Sequence, residues 1–163
     1  GVLIRGESGM GKSEIALELI KRGHLLVADD RVDCYRIHNK IIGKSPELLR
    51  DMLEIRGIGV INVARMFGVS SVLPKTEINC QVTLEPWDPD QDYDRVGIED
   101  KKHENILGVE IPKIVVPVRE GRSMAVIIES AVTNFMLSEM GMDSAKEFEQ
   151  RVLDYIERNK QEN

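Results

Sequence analysis

The run Gly6-Glu7-Ser8-Gly9-Met10-Gly11-Lys12-Ser13 fits the pattern G-x-x-x-x-G-K-[ST], whose chemistry is the gripping of nucleotide phosphates. Glycines there free successive backbone N–H groups to face one concavity. Lys12 can reach the β and γ phosphates, and the Ser13 hydroxyl can join the shell of a bound Mg²⁺. At average residue frequencies, four specified positions coincide about once in 200 chains of this length. Asp29 and Asp30 form a second candidate group. One carboxylate of such a pair can take the proton of a phosphoryl acceptor while the other holds Mg²⁺ or its waters, and mutual repulsion raises one pKa. An acid about 20 residues after a glycine loop also occurs in dinucleotide sites, but G-x-x-G-x-G followed by Lys-Ser favours phosphates and Mg²⁺.

Glu54 and Arg56 flank the glycines at 57 and 59 and offer an oxygen ligand for a metal and a cation for phosphoryl charge. On spacing alone, a surface ion-pair element is the commoner reading of Glu-Ile-Arg. Arg95, Arg119 and Arg122 are further candidates for phosphate contact, because guanidinium forks fit phosphate oxygens. His24, His38 and His103 have neither metal nor triad spacing, and the lone Trp87 reads as a packing anchor.

These residues need elements to place them. An apolar strand over residues 1–4 leads into the glycine loop, and a helix over residues 12–22, stopped by Gly23, puts the phosphate at a helix N-terminus. Residues 24–28 read as a short buried strand that delivers Asp29 and Asp30 to the crevice of an open α/β sheet. A strand over residues 32–37 turns at Asn39-Lys40 into Ile41 and Ile42. Ser45-Pro46-Glu47 predicts the start of a helix running to Leu53, and residues 54–63 predict a tight, specialised loop before one helical turn. Ile78, Cys80, Val82 and Leu84 alternate with polar residues as in a half-buried strand. Residues 86–108 are acidic and aperiodic, an exposed excursion. Strand character returns at 109–111 and 113–118, where two prolines suggest edges or strand ends. Two amphipathic helices close the chain, the second carrying Phe148, Val152, Tyr155 and Ile156 and capped by Asp143 or Ser144. The fold class is α/β: a single P-loop domain over residues 1–163, with a mixed sheet and C-terminal helices.

A chain of 163 residues can bury a real core. Its net charge of −6 and pI near 5.2 carry no basic footprint, which disfavours a nucleic-acid partner. No apolar run reaches membrane-spanning length, and Cys34 and Cys80 read as packing residues rather than a disulfide, so the expected setting is the cytoplasm. Beginning on Gly1 in the strand that feeds the loop, the chain reads as part of something longer, with an N-terminal domain upstream.

In this order the segments resemble the C-terminal catalytic domain of the bacterial HPr kinase/phosphorylase family, over essentially the whole chain. The resemblance rests on the loop at residues 6–14, on Ala28-Asp29-Asp30, on Leu53-Glu54-Ile55-Arg56-Gly57-Ile58-Gly59-Val60-Ile61-Asn62, and on the late loop from Val116-Pro117-Val118 through Gly121-Arg122. It implies a nucleotide fold like that of phosphoenolpyruvate carboxykinase and an enzyme that runs in two directions. ATP, or pyrophosphate, phosphorylates a regulatory serine of HPr, the phosphocarrier of the sugar phosphotransferase system. Inorganic phosphate removes that group and releases pyrophosphate, and the balance of the two controls carbon catabolite regulation.

By the same resemblance Lys12 holds the transferring phosphoryl group, Ser13 and Glu54 bind Mg²⁺ (or Mn²⁺), and Asp30 is base in one direction and acid in the other. Arg95 is a further active-site residue. The segment with Arg56, Gly57 and Gly59 serves both reactions, whereas Pro117, Arg119, Gly121 and Arg122 serve the reverse one. Members are similar in being hexamers tuned by fructose 1,6-bisphosphate. The chain departs from the family at Glu7, Glu120 and Ser123, where Asp, Pro and Asn are usual, and the family's active-site histidine, which precedes the P-loop strand, has no counterpart here. Two other classes stay open: a small-molecule kinase or carboxykinase relative, and a nucleotide switch without catalysis.

Overall fold

The computed structural model describes residues 1–90 and 102–161. Strand β1 (Val2–Arg5) enters the glycine loop, and helix α1 (Lys12–Lys21) leaves it. Strands β2 (Asp33–Ile37) and β3 (Lys40–Lys44) form one hairpin, β4 (Met52–Ile55) and β5 (Gly59–Asn62) another, with the short helix α2 (Val63–Phe67) directly after β5. The chain continues through β6 (Lys75–Glu77), β7 (Cys80–Pro86), β8 (Lys102–Ile106) and β9 (Val109–Val118) to helices α3 (Met124–Glu139) and α4 (Ser144–Gln161).

The central sheet has the order β1-β7-β9-β8. The first three strands are parallel and β8 is antiparallel to β9, so the sheet is mixed, as expected. Helices α1 and α3 cover one face, burying Ile15, Met124 and Ile128 against Val82, Leu84 and Val116. The other face meets the β2-β3-β6 sheet: Leu3 packs with the buried Ile41, Ile78 and Ile111. Strand β7 is therefore covered on both sides, not half-buried. Gln81, in register with Leu3, is only 2% exposed, and its Nε2 donates to Thr83 Oγ1 at 3.0 Å. A third core joins Ile20 of α1 to Leu53, Ile55 and Val63, so the loop-bearing helix is fixed by the sheet on one side and by the β4–β5 hairpin on the other.

Several local expectations change. In place of the helix expected up to Leu53 there is a single 3-10 turn over Glu47–Leu49: Leu48 stays 94% exposed and Asp51 adopts φ 64, which ends helical geometry. Strand β4 begins at once after this turn, with Leu53 and Ile55 buried on one side and Glu54 exposed between them. The expected loop at 54–63 is the β4–β5 hairpin, with Glu54 paired to Val60 and Ile55 to Gly59. Its two glycines turn the chain in left-handed geometry, φ 85 at Gly57 and 103 at Gly59. Residues 24–28 supply only a bridge between Leu26 and Val72, since Leu26 is buried but Leu25 is 47% exposed. The β2–β3 turn lies at His38-Asn39, one residue earlier than expected. Part of the 86–108 excursion is strand β8, whose charged residues hide its pairing with β9. Strand β9 is continuous and interior, with Pro112 paired to His103 and Pro117 to Glu85. Pro117 lies beyond the end of β8, where among the described residues β9 keeps only its β7 neighbour.

At the far end of α1, Glu129 of α3 accepts from Arg22 at 3.0 and 2.8 Å and meets His24 Nε2 at 2.7 Å. The hydrogen bond from Arg22, then that from His24, holds the Glu129 carboxyl down at about 2. Asp143 is the cap before α4, accepting from the backbone of Ala145 and Lys146. None of the described residues of α4 is buried, and its Phe148, Tyr155 and Ile156 lie exposed. Among the described residues no helix is long and apolar enough to cross a membrane. Cys34 and Cys80 are free thiols whose pKa burial pushes up, which makes them poor nucleophiles.

Candidate active site at the carboxyl ends of the parallel strands

Strands β1, β7 and β9 run the same way, so the segments that leave their carboxyl ends gather at one edge of the sheet. This is the edge at which open α/β sheets bind ligands. From β1 the glycine loop crosses β7 closely: a Cβ on Gly6 would lie 3.1 Å from Leu84 Cβ and 3.3 Å from Met10 Sδ. Gly11, at φ 84, then caps α1, and the N–H of Ile15 donates to its carbonyl at 3.0 Å. Ahead of that first turn Glu7, Ser8 and Gly9 are exposed. Lys12 folds back over the loop, its Nζ donating to the carbonyls of Gly6 and Glu7, at 3.2 Å for the latter. The motif thus has a helix N-terminus and a lysine on one concave turn, the arrangement that receives phosphate.

The acids come to the same place. Ser13 Oγ donates to Asp29 Oδ1 at 2.9 Å, and Asp29 Oδ2 accepts the Glu54 backbone N–H at 3.1 Å. Asp29 therefore ties α1 to the β4–β5 hairpin. Asp30, the next residue, is exposed and holds φ 64, a left-handed geometry that Asp tolerates better than most side chains. The hairpin contributes Arg56, whose Nη2 lies 3.8 Å from where a Cβ on Gly9 would stand. Residues far apart in the chain, Lys12, Ser13, Asp29, Glu54 and Arg56, are thus assembled around one loop. Beside them a cavity of about 470 Å³ opens past Lys12, Ser13, Asp29 and Asp30 and runs along β1 among largely apolar side chains.

The late loop reaches this edge from β9. Register pairs Pro86 with Val118, so the next residue on each strand, Trp87 and Arg119, are neighbours. The Arg119 guanidinium lies 5.0 Å from the Trp87 ring centre. Arg122, brought round as its N–H donates to the Arg119 carbonyl at 3.4 Å, lies 5.5 Å from the same ring. Trp87 is half-buried and engages cations, a function that the packing-anchor reading missed. Its signal was the parallel alignment of two strands, which no local pattern carries. Pro117 pairs with Glu85, one position before the last β7–β9 pair, and Gly121 turns the loop at φ 82. Ser123 Oγ donates to Glu18 Oε1 at 3.1 Å, linking the start of α3 to α1. Arg95 lies outside the described residues.

Comparison with known proteins bears on the family and the fold. A family profile described as HPr Serine kinase C-terminal domain matches residues 1–152. The chain is 51% identical over 158 residues to an HPr kinase/phosphorylase of Geobacillus thermodenitrificans (strain NG80-2), covering 96% of this chain and 51% of that protein. It is 49% identical over 160 residues to the HPr kinase/phosphorylase of Enterococcus faecalis (strain ATCC 700802 / V583), covering 98% and 51%. The chain spans about half the length of the curated relatives it matches. Among solved structures, the Hpr(Ser) kinase/phosphatase from Coxiella burnetii superposes with a TM-score of 0.80 at 38% identity, over 91% of this chain and 90% of that one. With the family profile matching nearly end to end and the same fold in a solved relative, this chain belongs to the HPr serine kinase C-terminal domain family.

Proposed function

We propose that this domain transfers a phosphoryl group from ATP, or from pyrophosphate, to a serine of the phosphocarrier HPr, and removes it by phosphorolysis with inorganic phosphate. The observation that carries this reading is the joint formed by Ser13, Asp29 and the Glu54 backbone directly behind the glycine loop, in a chain whose relatives are named HPr kinase/phosphorylase. In the forward direction Lys12 and the N–H groups at the start of α1 hold the transferring phosphate. Asp30 takes the proton of the serine hydroxyl as the new O–P bond forms and the bond to the leaving group, ADP from ATP or inorganic phosphate from pyrophosphate, breaks. In reverse, an oxygen of inorganic phosphate attacks the phosphoserine phosphorus, pyrophosphate forms, and protonated Asp30 returns its proton to the serine oxygen.

The donor set suits Mg²⁺: a hydroxyl on Ser13 and a carboxylate on Glu54 are hard oxygens, and Mg²⁺ commonly takes only one or two protein ligands beside phosphate oxygens. When bound, it would supply neutralisation of phosphate charge. Asp29 orients the Ser13 hydroxyl and fixes the hairpin. Arg56 contributes a cation next to Gly9, and Arg95 and the late-loop residues Pro117, Arg119, Gly121 and Arg122 complete the set, the latter four for the reverse reaction. The reading extends to a nucleotide fold of the phosphoenolpyruvate-carboxykinase kind, a cytoplasmic hexamer and control by fructose 1,6-bisphosphate.

Single-turnover transfer from γ-labelled ATP to purified HPr tests the proposal. Label on one serine of HPr, released as pyrophosphate when unlabelled phosphate is added, is the expected result. Label on small acceptors in preference to HPr would indicate a metabolite kinase, and bound ATP without transfer would indicate a switch.

A further inference from the structure

Two guanidinium groups share one indole at the carboxyl edge of the central sheet. Arg119 and Arg122 lie 5.0 and 5.5 Å from the Trp87 ring centre. Like charges gathered on one ring repel each other, and the negative face of an aromatic ring is one of the few neutral groups that offsets the repulsion. Among the described residues neither guanidinium is ion-paired with a carboxylate, although Arg5, Arg22, Arg31 and Arg151 all are. Two cations gathered on one ring, with no carboxylate paired to either among the described residues, offer a seat for an anion. The indole is near the phosphate loop as well: β7 passes Gly6 at Leu84, and Trp87 is three residues further on, about 10 Å at the rise of a strand.

We propose that Trp87 is a positioning residue whose indole holds Arg119 and Arg122 together as a two-cation seat for inorganic phosphate, and for the pyrophosphate formed from it. This rests on the phosphorolysis reading above and adds to it the residue that gives the late loop its shape. The chemistry favours an indole there. A carboxylate in its place would bind the arginines more tightly but cancel the charge that phosphate must meet, whereas a ring orients both guanidiniums and leaves their charge available. Trp is also the strongest of the aromatic side chains in this role.

Trp87 is the only tryptophan of this chain, so tryptophan fluorescence reports on the surroundings of this ring. Inorganic phosphate should change the emission saturably, and Arg119→Gln with Arg122→Gln should abolish the change. Calorimetric titration of phosphate into Trp87→Leu should show about tenfold weaker binding, with Trp87→Phe recovering most of it, since a phenyl ring retains part of the cation–π attraction. In phosphorolysis the Leu variant should raise KM for phosphate by a similar factor and leave kcat at saturating phosphate within about twofold. Unchanged phosphate affinity in Trp87→Leu would overturn the proposal. So would equal loss in the Leu and Phe variants together with a fall in thermal stability, which would make the ring a packing element. Saturable binding that depends on Trp87 in a protein without phosphorolysis would uphold the seat and reject the phosphorylase reading instead.

Discussion

Ser13 and Asp29 are joined by a hydrogen bond of 2.9 Å, from the hydroxyl next to the loop lysine to the first carboxylate of the acid pair. The same carboxylate accepts the backbone N–H of Glu54 with its other oxygen, so one side chain couples the start of α1 to the β4–β5 hairpin. The groups with the proposed chemical roles, Lys12 and Asp30, are the residues adjoining that joint in the chain, one next to Ser13 and the other next to Asp29.

Replacing Lys12 by Ala should lower phosphoryl transfer in both directions by about 10²-fold or more, the usual scale for removing a preorganised charge from a transition state. The fold should persist, since among the described residues the ammonium's hydrogen bonds go to the loop carbonyls of Gly6 and Glu7. Circular dichroism and a transfer assay on the same preparation check both halves, and wild-type turnover would refute the role of the loop.

The two aspartates should separate cleanly. Asp30→Asn should disable the kinase and phosphorolysis reactions together, because the base of one direction is the acid of the other. Asp29→Asn keeps one acceptor oxygen for two donors and should destabilise the domain by about 1–2 kcal/mol, with a higher Mg²⁺ requirement that excess Mg²⁺ partly rescues. Kinase loss with full phosphorolysis in Asp30→Asn would exclude the shared role.

Arg122→Ala should slow phosphorolysis by about one to two decades, roughly 1.4 to 3 kcal/mol of transition-state stabilisation. Its effect on the forward reaction should be at least about tenfold smaller. In the proposed reverse reaction inorganic phosphate must approach an anionic phosphoserine, whereas in the proposed forward reaction the acceptor is a neutral hydroxyl. Equal losses in both directions would assign the loop to the fold or to the shared nucleotide site.

Acid should weaken the join between α1 and α3 within a defined window. The Glu129 carboxyl, ordinarily near 4.5, is held at about 2 by Arg22 first and His24 second. Since the folded value lies below the unfolded one, the cluster stabilises the fold above about pH 4.5 and loses its contribution as pH falls toward 2. The gap in urea midpoint between wild type and Glu129→Gln should be present near neutrality and close by pH 2. A gap of constant size across that range would attribute the variant's effect to packing.

Local chemistry made part of this site readable from residues alone. The glycine loop, its helix and the pairing of Lys12 with Ser13 depend on neighbours within a few positions, and the structure has them as expected. The hairpin of Leu53 to Asn62 was hidden because Gly57 and Gly59 resemble breakers, although each serves the turn between two short strands. Strand β8 was hidden by Lys102, His103 and Glu104, whose charges suit an edge strand but mask its period. Contacts set by register between distant strands, such as Trp87 with Arg119, had no local signal at all. The family resemblance supplied the late loop, and the structure supplied the aromatic ring that it closes on.

Asp30 occupies backbone space that glycine enters freely and other residues enter at a cost of about 1 kcal/mol or more. Asp30→Gly should therefore leave the domain as stable as before or more so, while removing the carboxylate proposed to move the proton. A selection for heat tolerance alone would drift toward that change and silence the protein without unfolding it. At this position durability and turnover pull in opposite directions, and the presence of an aspartate is a record of which one has been kept.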